Sequence, residues 1–290
     1  MPELPEVEIT KKTLQKHVVD QTIQDLQIKN RNLRYKIDKE LKNKIAKKKI
    51  VNISRRSKYL VFLLSDGNYF IIHLGMSGRL LIANKKQKKF VDTSFYASHP
   101  AIKKHNHVYF LFKKKILIYN DTRRFGFIKY YNSKEFLNCQ HLINLGVEPL
   151  SSECNFAQLS QKIKKYNKSI KNVLMDQTCI AGLGNIYVNE ALFLSKIHPK
   201  RNSLRVDAPE LKKLLQAIKD ILKKSIRLGG STIKDFHNSE GKIGSFQNYF
   251  KVYGRENEKC TRSRCGGMIK KITIGGRASF FVIFVSNDCC

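Results

Sequence analysis

The chain contains no tryptophan and no uninterrupted apolar stretch of about 18 residues, the length that a membrane-spanning helix requires. Acidic residues are also scarce, because 23 Asp and Glu stand against 55 Lys and Arg, which gives a formal net charge of +32. The absence of a long apolar stretch argues against a membrane span. With 290 residues and 42% hydrophobic content, the chain is long enough for roughly two domains with separate cores.

The first ten residues, MPELPEVEIT, lack the basic start and the apolar segment of a secretory signal peptide, so we expect a cytoplasmic protein. Three of the seven cysteines, Cys139, Cys154 and Cys179, are isolated in the sequence and are predicted to be buried thiols. The other four lie close to the C-terminus. In a chain without a secretion signal, such a cluster indicates metal binding before disulfides. The clustered cysteines are Cys260, Cys265, Cys289 and Cys290.

The excess of positive charge has two interpretations. Lysine and arginine neutralise phosphates and release condensed counterions, so a nucleic-acid partner is one of them. The other is codon drift in an AT-rich genome, because 41 lysines and only 14 arginines make up the basic residues. Charge alone does not separate these interpretations. The sequence gives no reason to expect an oligomer, and we predict a monomer.

The pattern of apolar residues changes twice along the chain. Residues 5–19 have helical spacing after Pro5, which predicts a first helix. From residue 23 to residue 131, short segments rich in β-branched and aromatic residues are typical of an antiparallel sandwich or barrel. After Pro149 the spacing becomes helical, and the tail from residue 242 returns to short β-like segments. The predicted strands are 50–54, 59–64, 68–74, 79–82, 107–112, 115–120 and 125–131, and the later helices are 155–165, 169–177, 185–195 and 208–228.

The N-terminus carries a candidate nucleophile. Met1 precedes a small residue and is normally removed, which leaves a secondary amine at Pro2. An α-amino group has a pKa of about 8, so part of it is neutral at physiological pH and can attack a sugar carbon to form a Schiff base. Alternatively, Pro2 simply begins a helix, and the acids that follow favour the positive end of that helix.

Seven segments, spread in order along the chain, resemble the formamidopyrimidine-DNA glycosylases. The resemblance therefore covers the chain from its first residues to the cysteine cluster. The segments are MPELPEVE (1–8), RRSKYL (55–60), HLGMSGRL (73–80), DTRRFGF (121–127), GLGNIY (182–187), GGSTIKDF (229–236) and VYGRENEKC (252–260).

This resemblance implies an enzyme that acts on double-stranded DNA. The family removes oxidised purines, such as 8-oxoguanine and formamidopyrimidines, and then cuts the abasic site by β,δ-elimination. It also implies an α+β fold in three parts: a β-sandwich catalytic domain with an N-terminal helix (1–133), a helix–two-turns–helix DNA-binding domain (134–240) and a zinc-finger-like hairpin (241–290). One structural zinc ion is implied, and no redox or nucleotide cofactor is needed.

The catalytic residues follow from the same resemblance. It assigns Pro2 as the nucleophile at the sugar C1′ and Glu3 as the acid that assists opening of the sugar ring. It assigns Lys58 to β-elimination and to a phosphate contact. Arg277, in GGRASFF, is implied as a phosphate ligand and as the acid for δ-elimination.

A glycosylase must extrude its target base and fill the gap that remains in the duplex. The family uses a methionine, an arginine and a phenylalanine for this purpose, which here correspond to Met76, Arg123 and Phe125. An arginine can form two hydrogen bonds with the orphaned base, and a phenylalanine can wedge between base pairs. For Met76 the alternative is ordinary core packing. The start MPELPE, in contrast to MPEGPE of the endonuclease VIII branch, favours oxidised purines over oxidised pyrimidines.

The resemblance also implies DNA-binding residues between His105 and Lys234. The family's lysine in its basic run aligns with Tyr166, and the adjacent Lys165 is the expected substitute. Asn185 lies at a predicted helix start, where it suits either a phosphate contact or an N-cap. The implied DNA-binding residues are His105, Arg123, Lys165, Lys171, Asn185, Tyr187 and Lys234.

The cysteine pattern departs from the family's two C-x-x-C pairs. Cys260 and Cys265 are separated by four residues, which zinc still accepts, but Val282 and Val285 occupy the expected positions of the second pair. The adjacent Cys289 and Cys290 are a poor source of two tetrahedral ligands. If the codons of Phe281 and Phe284 both end in T, a shift of one base turns both valines into cysteines. We therefore hypothesise that a frameshift in a T-rich stretch replaced the original tail from residue 282.

Three alternatives to an active purine glycosylase remain open. One is a DNA-binding relic of the family without turnover, which the altered cysteine pattern favours. The second is an oxidised-pyrimidine glycosylase of the endonuclease VIII branch. The third is a general basic protein that binds nucleic acid or ribosomes, which only the net charge supports.

Overall fold

The structure is a computed structural model, and it describes residues 1–85, 90–92, 102–231, 245–263 and 265–283. The chain divides into two compact units. The first comprises Met1–Ile143 and Ile226–Gln247, and the second comprises Asn144–Ser225 and Asn248–Cys290. By this division, the C-terminal hairpin groups with the helices of the second unit, and residues 226–247 group with the sandwich.

The first unit is a β-sandwich with three helices. Its helices are α1 (Leu4–Val18), α2 (Leu41–Ile45) and α3 (Ser133–Leu137). Its strands are β1 (Asp25–Ile28), β2 (Ile50–Arg56), β3 (Tyr59–Leu64), β4 (Tyr69–His73), β5 (Gly78–Asn84), β6 (Phe90–Asp92), β7 (Asn106–Leu111), β8 (Lys115–Asp121) and β9 (Phe127–Tyr131).

Two antiparallel sheets form the sandwich, with strand orders β1-β7-β8-β5-β6 and β2-β3-β4-β9. Side chains alternate along each strand, so Leu60 and Phe62 point into the core while Val61 faces a smaller cluster on the other side of the sheet. Phe110 and Leu117 from the five-stranded sheet join the same core. The buried apolar faces of the two sheets therefore hold this unit together.

Helix α1 packs its apolar stripe on this core. Val7, Leu14 and Val18 lie at helical spacing and are buried in the same cluster as the strands. Gln15 also donates a hydrogen bond to the carbonyl of Ile53 in β2, at 2.7 Å. The N-terminus of the chain is therefore fixed to the sandwich.

The second unit combines helices with a β-hairpin. Its helices are α4 (Phe156–Ile163), α5 (Ile170–Met175), α6 (Asn185–Leu194) and α7 (Ala208–Arg227), the last assigned to this unit up to Ser225, and its hairpin consists of β10 (Ile269–Ile274) and β11 (Arg277–Val282). An apolar cluster of Phe193, Val252, Ile269 and Phe280 lies between α6 and the hairpin. Short 3₁₀ turns span Lys103–His105 in the first unit and Ser203–Arg205 in the second.

The predicted α+β composition is confirmed, and the predicted helices and strands agree with the structure to within a few residues. Strand β3 has the predicted bounds. The strands β1 and β6 and the short helices α2 and α3 were not predicted. In the described part of the chain, no helix is both long and apolar enough to cross a membrane.

Candidate active site and DNA interface

The N-terminus lies at the start of α1 and is buried from its second residue. Pro2 and Glu3 are both buried, and Glu3 is the N-cap of the helix. The Glu3 carboxylate accepts a hydrogen bond from the backbone N–H of Glu6, which satisfies one of the orphan donors of the first turn. The acid next to Pro2 is therefore held in one position at the positive end of a helix of 15 residues.

Glu6 fixes this arrangement from the other side. One of its carboxylate oxygens accepts a hydrogen bond from the backbone N–H of Glu3 at 2.9 Å. The other accepts from both the backbone N–H and the hydroxyl of Ser231, each at 2.9 Å. Since Ser231 is 225 residues away in sequence, the carboxylate joins the N-terminus to the segment that follows α7. Glu6 thus positions Glu3 without being the proposed acid itself.

The terminal amine has a lowered pKa in these surroundings. On Met1, burial is the largest cause, because it disfavours the charged form; Glu3 and Glu6 oppose it, and Lys58 and Arg123 lower the pKa further. On Met1, the neutral fraction of the amine at neutral pH is therefore larger than that of a free N-terminus. Removal of Met1 transfers the amine to Pro2, which is buried.

Lys58 lies in the tight turn between β2 and β3 and is buried. The turn requires a positive φ of 55° at Ser57, and Arg55 stabilises it by donating to the Ser57 carbonyl at 2.8 Å. Arg55 is itself held by an ion pair with Glu8 of α1 at 2.9 Å. The turn that carries Lys58 is therefore tied to the helix that begins beside Pro2.

A cavity of about 750 Å³ opens in the first unit beside the N-terminus. Most of its wall comes from loops that bear cationic or apolar side chains. His73 is part of the wall, and burial together with Lys58 lowers its pKa to about 3, so this imidazole is neutral at physiological pH. The lining residues are Met1, Asn32, Leu33, Arg34, His73, Gly75, Met76, Arg123, Arg124 and Phe125.

The three predicted void-filling residues meet at this cavity. Met76 and Phe125 are large apolar side chains with 39% and 43% of their surfaces exposed. The guanidinium of Arg123 lies 4.6 Å from the centre of the Phe125 ring. Met76 is thus not a core residue, which removes the alternative of ordinary packing.

His105 is at the end of the 3₁₀ turn before β7 and is only partly buried. Burial and the neighbouring Lys104 lower its pKa, so a neutral imidazole is favoured there. Lys165 is exposed after α4, where a phosphate can reach it, while the adjacent Tyr166 hydroxyl is 3.0 Å from the Thr178 hydroxyl. The predicted contact Lys234 lies outside the described residues.

Two of the predicted DNA contacts in the second unit need correction. Tyr187 is buried in the core of α6, and its hydroxyl lies 2.7 Å from that of Ser225, so it does not flank a DNA groove. Lys171 is also fully buried, and its ammonium group donates to the carbonyl of Ala278 and the hydroxyl of Ser279, each at 2.6 Å. The sequence does not distinguish a solvated lysine of a helix from one that, like Lys171, packs against a hairpin.

The surroundings of Lys171 lower the pKa of its buried ammonium group. Burial and the nearby Arg277 lower its pKa to about 8. Because the folded chain releases this proton more readily than the unfolded chain, Lys171 makes the free energy of unfolding increase as the pH rises from about 8. Its position fixes strand β11 immediately after Arg277.

Arg277 is exposed at the first position of β11. Besides Lys171, the amide of Asn185 donates to the Ala278 carbonyl at 3.0 Å, and Asn189 accepts from the backbone N–H of Phe280 at 2.7 Å. The N-cap of α6 is Gly184, so Asn185 is the first helical residue and not the cap. Helices α5 and α6 therefore hold the strand from which Arg277 projects.

A buried carboxylate secures the segment before the hairpin. Glu190 of α6 accepts hydrogen bonds from three successive backbone N–H groups, those of Lys251, Val252 and Tyr253, at 2.8, 3.0 and 2.8 Å. Burial raises the pKa of Glu190, and these three donors oppose that effect. No sequence pattern indicated the role of this residue, because its partners are more than sixty positions away.

The described residues do not fit the tetrahedral zinc site that is typical of the family. Cys265 is buried, and Cys260 is partly exposed. A side chain at Gly267 would meet a methyl group of Val282 at 2.7 Å and the Cys265 sulfur at 3.4 Å, so a valine packs beside the thiol where further ligands are needed. In the described ranges, no three His, Cys, Asp or Glu side chains come together. Cys289, Cys290 and Val285 lie outside the described residues.

Comparison with known proteins agrees with this geometry. Residues 1–128 match the family model described as the formamidopyrimidine-DNA glycosylase N-terminal domain, and residues 145–237 match that family's H2TH domain. A formamidopyrimidine-DNA glycosylase of Roseobacter denitrificans is 37% identical, over 97% of this chain and 98% of its own length. One of Rickettsia bellii is 38% identical, over 97% of both chains.

Solved structures of Lactococcus lactis Fpg have the same fold. A point mutant of that protein in complex with DNA that contains Fapy-dG is 36% identical and has a TM-score of 0.85, covering 97% of this chain and 98% of that chain. A complex with DNA that contains an abasic site is also 36% identical, with a TM-score of 0.84 and 97% of both chains covered.

Proposed function

The chain belongs to the formamidopyrimidine-DNA glycosylase family, and on that premise we propose that it is a bifunctional base-excision-repair enzyme. It removes oxidised purines from double-stranded DNA and then cleaves the abasic site as a lyase. The observation that carries this proposal is the buried Pro2–Glu3 pair at the start of α1, next to a cavity that Met1 lines and that the void-filling residues border. The relatives bound to Fapy-dG and abasic-site DNA support the substrate class.

The first chemical step is displacement of the damaged base. The lone pair of the Pro2 nitrogen attacks the sugar C1′, and the bond from C1′ to the base breaks. The alkylated nitrogen then loses its N–H proton, which the departing base takes up, so the nitrogen regains a lone pair. Glu3 in its acid form donates a proton to the ring oxygen, so that the C1′–oxygen bond breaks and the nitrogen lone pair forms the C1′=N⁺ bond of the Schiff base. The helix N-terminus at Glu3 stabilises the carboxylate that this transfer leaves behind.

Strand cleavage follows from the Schiff base. Loss of a proton from C2′ expels the 3′ phosphate, and Lys58 supports this β-elimination as a nearby cation that contacts phosphate. A second elimination expels the 5′ phosphate, and Arg277 is its acid. Because Arg277 is exposed on a strand that Lys171 and Asn189 hold from behind, its guanidinium can meet a phosphate.

Recognition of the duplex uses the exposed residues around the cavity. Met76 and Phe125 fill the gap left by the extruded nucleotide, and Arg123 donates hydrogen bonds to the orphaned base. His105, Lys165 and Asn185 contact the backbone, while Lys171 acts through the hairpin. The formal net charge of +32 would make binding strongly dependent on salt. We also propose that the protein acts as a monomer in the cytoplasm.

The hairpin of this chain, we propose, keeps its fold without zinc. Polar contacts from Lys171, Asn189 and Glu190 and the apolar cluster around Phe280 hold it, and Val282 packs where a ligand of the family's second pair is expected. Structural zinc contributes folding free energy directly in proteins whose fingers depend on it. The described residues replace that contribution with buried contacts.

Metal analysis of the purified protein tests this idea. We expect less than about 0.2 zinc per chain, and we expect a chelator to leave the melting temperature and DNA affinity unchanged, because no folding free energy depends on a metal. A Cys260→Ser variant is the matched check and should melt close to the parent. Stoichiometric zinc that disappears in a Cys289→Ser/Cys290→Ser variant would contradict the proposal and assign the ligands to the tail.

The lowered pKa of the terminal amine predicts a pH dependence. The nucleophile must be deprotonated, so the rate of borohydride-trapped adduct formation should fall at low pH. The apparent pKa of this acidic limb should lie below the ordinary amine value of 8.0. Lys58→Met removes a positive charge that lowers this pKa, and it should move the limb to higher pH. Lys134→Met, at an exposed position of α3, is the control and should not move it. An unshifted limb in Lys58→Met would show that the amine does not sense this lysine.

Activity on defined duplexes distinguishes the remaining candidates. An oxidised-purine glycosylase should excise 8-oxoguanine opposite cytosine faster than an oxidised pyrimidine such as 5-hydroxycytosine. The reverse order would favour the endonuclease VIII branch. Tight binding to both duplexes without any trapped adduct would favour a DNA-binding relic.

A further inference from the structure

Asp121, the last residue of β8, is a completely buried carboxylate to which the proposed chemistry gives no step. It stands directly opposite Gly78 of β5 in the antiparallel pair β5–β8. The loop that carries Met76 ends at Gly78, and the loop that carries Arg123 and Phe125 begins at Asp121. The two loops therefore meet the sheet at paired positions. Any group placed at this position is within reach of both loops.

The carboxylate accepts hydrogen bonds from both loops. From the first loop, the Ser77 hydroxyl donates to one of its oxygens. From the second, the backbone N–H of Arg123 donates to the same oxygen at 3.3 Å, and the backbone N–H of Gly126 donates to the other oxygen at 2.9 Å. The Tyr119 hydroxyl adds a fourth bond from the sheet, at 3.0 Å.

The Ser77 hydroxyl links the loops a second time. While it donates to Asp121, its oxygen accepts a hydrogen bond from the backbone N–H of Arg123 at 3.0 Å. Bonds to a buried carboxylate are shorter and stronger than those between neutral groups, and each one polarises the next. Burial and the adjacent carboxylate raise the pKa of Tyr119 well above its usual value, so its hydroxyl remains a donor to Asp121.

Close backbone contact also locks the two loops together. Gly75 has a φ of +59°, and a side chain there would lie 2.6 Å from the Phe125 carbonyl oxygen and overlap the backbone of Gly126. A side chain at Gly126 would in turn collide with the Tyr119 hydroxyl and the backbone of His73. The loops therefore have little freedom to move independently as long as the hydrogen bonds of Asp121 are in place.

We propose that Asp121 is a positioning residue that holds the Met76 loop and the Arg123–Phe125 loop as one rigid unit, ready to enter the duplex. This inference rests on the proposed function, because it takes these three residues as the ones that fill the gap. Rigid loops lose less conformational freedom when DNA binds, so more of the binding free energy remains for extrusion of the base. Arg123 benefits most, since both acceptors of its backbone N–H belong to this network.

The test compares Asp121→Asn with the parent on two substrates. Asparagine keeps the shape of the side chain, but one of its two acceptors becomes an NH₂ group, which cannot accept from the donors that face it. On a duplex with 8-oxoguanine opposite cytosine, we expect kcat/KM to fall about 100-fold, the effect of a misplacement of roughly 1 Å. On a single-stranded oligonucleotide with a preformed abasic site, which has no orphaned base and no gap to fill, we expect a change of less than about threefold.

A second readout depends on Arg123. In the parent, the rate with 8-oxoguanine should differ between cytosine and adenine as the opposite base, because Arg123 contacts that base. In Asp121→Asn the ratio of the two rates should move towards one. A role in stability alone would lower both rates together and leave the ratio unchanged.

Two further variants keep the test decisive if Asp121→Asn folds poorly. Ser77→Ala removes the link between the loops but leaves the carboxylate in place, and we expect a loss of about tenfold on the duplex only. Tyr119→Phe removes a donor that belongs to neither loop, and it should stay within about twofold of the parent on both substrates.

The outcomes separate this inference from the proposed function. If the parent leaves 8-oxoguanine intact, the proposed function fails. If the parent is active while Asp121→Asn and Ser77→Ala match it on the duplex, or lose activity equally on both substrates, the positioning role is overturned.

Discussion

Replacement of Pro2 with glycine is expected to lower the rate of borohydride-trapped adduct formation with 8-oxoguanine DNA by at least about 100-fold. Pro2 is buried at the start of α1, so the ring holds its nitrogen in one orientation beside Glu3. A secondary amine also gives a Schiff base that keeps its positive charge, because its nitrogen has no further proton to lose. Glycine keeps an amine but loses the ring, its packing and its fixed direction.

A second form of the protein tests the same claim without changing a side chain. When Met1 is retained, which intact mass verifies, the Pro2 nitrogen belongs to an amide and has no lone pair for attack. We expect no adduct from this form. Adduct formation at the parent rate by Pro2→Gly, or by the form that keeps Met1, would show that another residue is the nucleophile.

Replacement of Glu3 with glutamine is expected to lower excision of 8-oxoguanine by about 10²- to 10⁴-fold, the usual contribution of a general acid. The Glu3 side chain is buried and held by the N–H of Glu6, and glutamine keeps its size but has no proton to give. On a preformed abasic site, the sugar already opens to the aldehyde in water. There we expect a loss of less than about tenfold.

Glu40→Gln is the control for Glu3→Gln. Glu40 is exposed at the N-cap of α2 and takes no part in the proposed chemistry. Its replacement should change stability by about 0.5 kcal/mol or less and activity little. Equal losses in the two variants on 8-oxoguanine DNA would remove Glu3 from the role of acid.

Much of the fold could be predicted because burial leaves a period in the sequence. The apolar stripe of α7 buries one face of that helix, and the continuous apolar run of β3 is buried on both faces of its sheet; both were predicted with nearly correct bounds. The strands β1 and β6 were missed because stretches of four and three residues are too short to show a period. Periodicity tells which face is buried, but not which element covers it.

The site was predictable only in part, because a sequence pattern does not show which distant residues become partners. The resemblance placed Pro2, Met76 and Phe125, and the structure brings Met76 and Phe125 to one cavity that Met1 also lines. It did not reveal Asp121 or Glu6, although both lie within the matching segments, because each depends on a partner that is distant in sequence: Ser77 for Asp121, 44 residues away, and Ser231 for Glu6. For Glu6 and Ser231 that separation is 225 residues.

The predictions for Lys171 and Tyr187 came from the resemblance, which implied that both contact DNA. In the structure both side chains are buried. Lys171 can be buried because a carbonyl and a hydroxyl of the hairpin accept from its ammonium group. The basic residue thus supports Arg277 from behind instead of meeting DNA.

Peptide mapping of the borohydride-trapped complex tests the central claim most directly. The protein is incubated with a duplex that contains 8-oxoguanine opposite cytosine, reduced, digested and analysed by mass spectrometry. We predict one adduct, on the N-terminal peptide that begins at Pro2, with Met1 absent. An adduct on a lysine such as Lys58, or excision of the base without any trapped adduct, would contradict the assignment of Pro2 as the nucleophile.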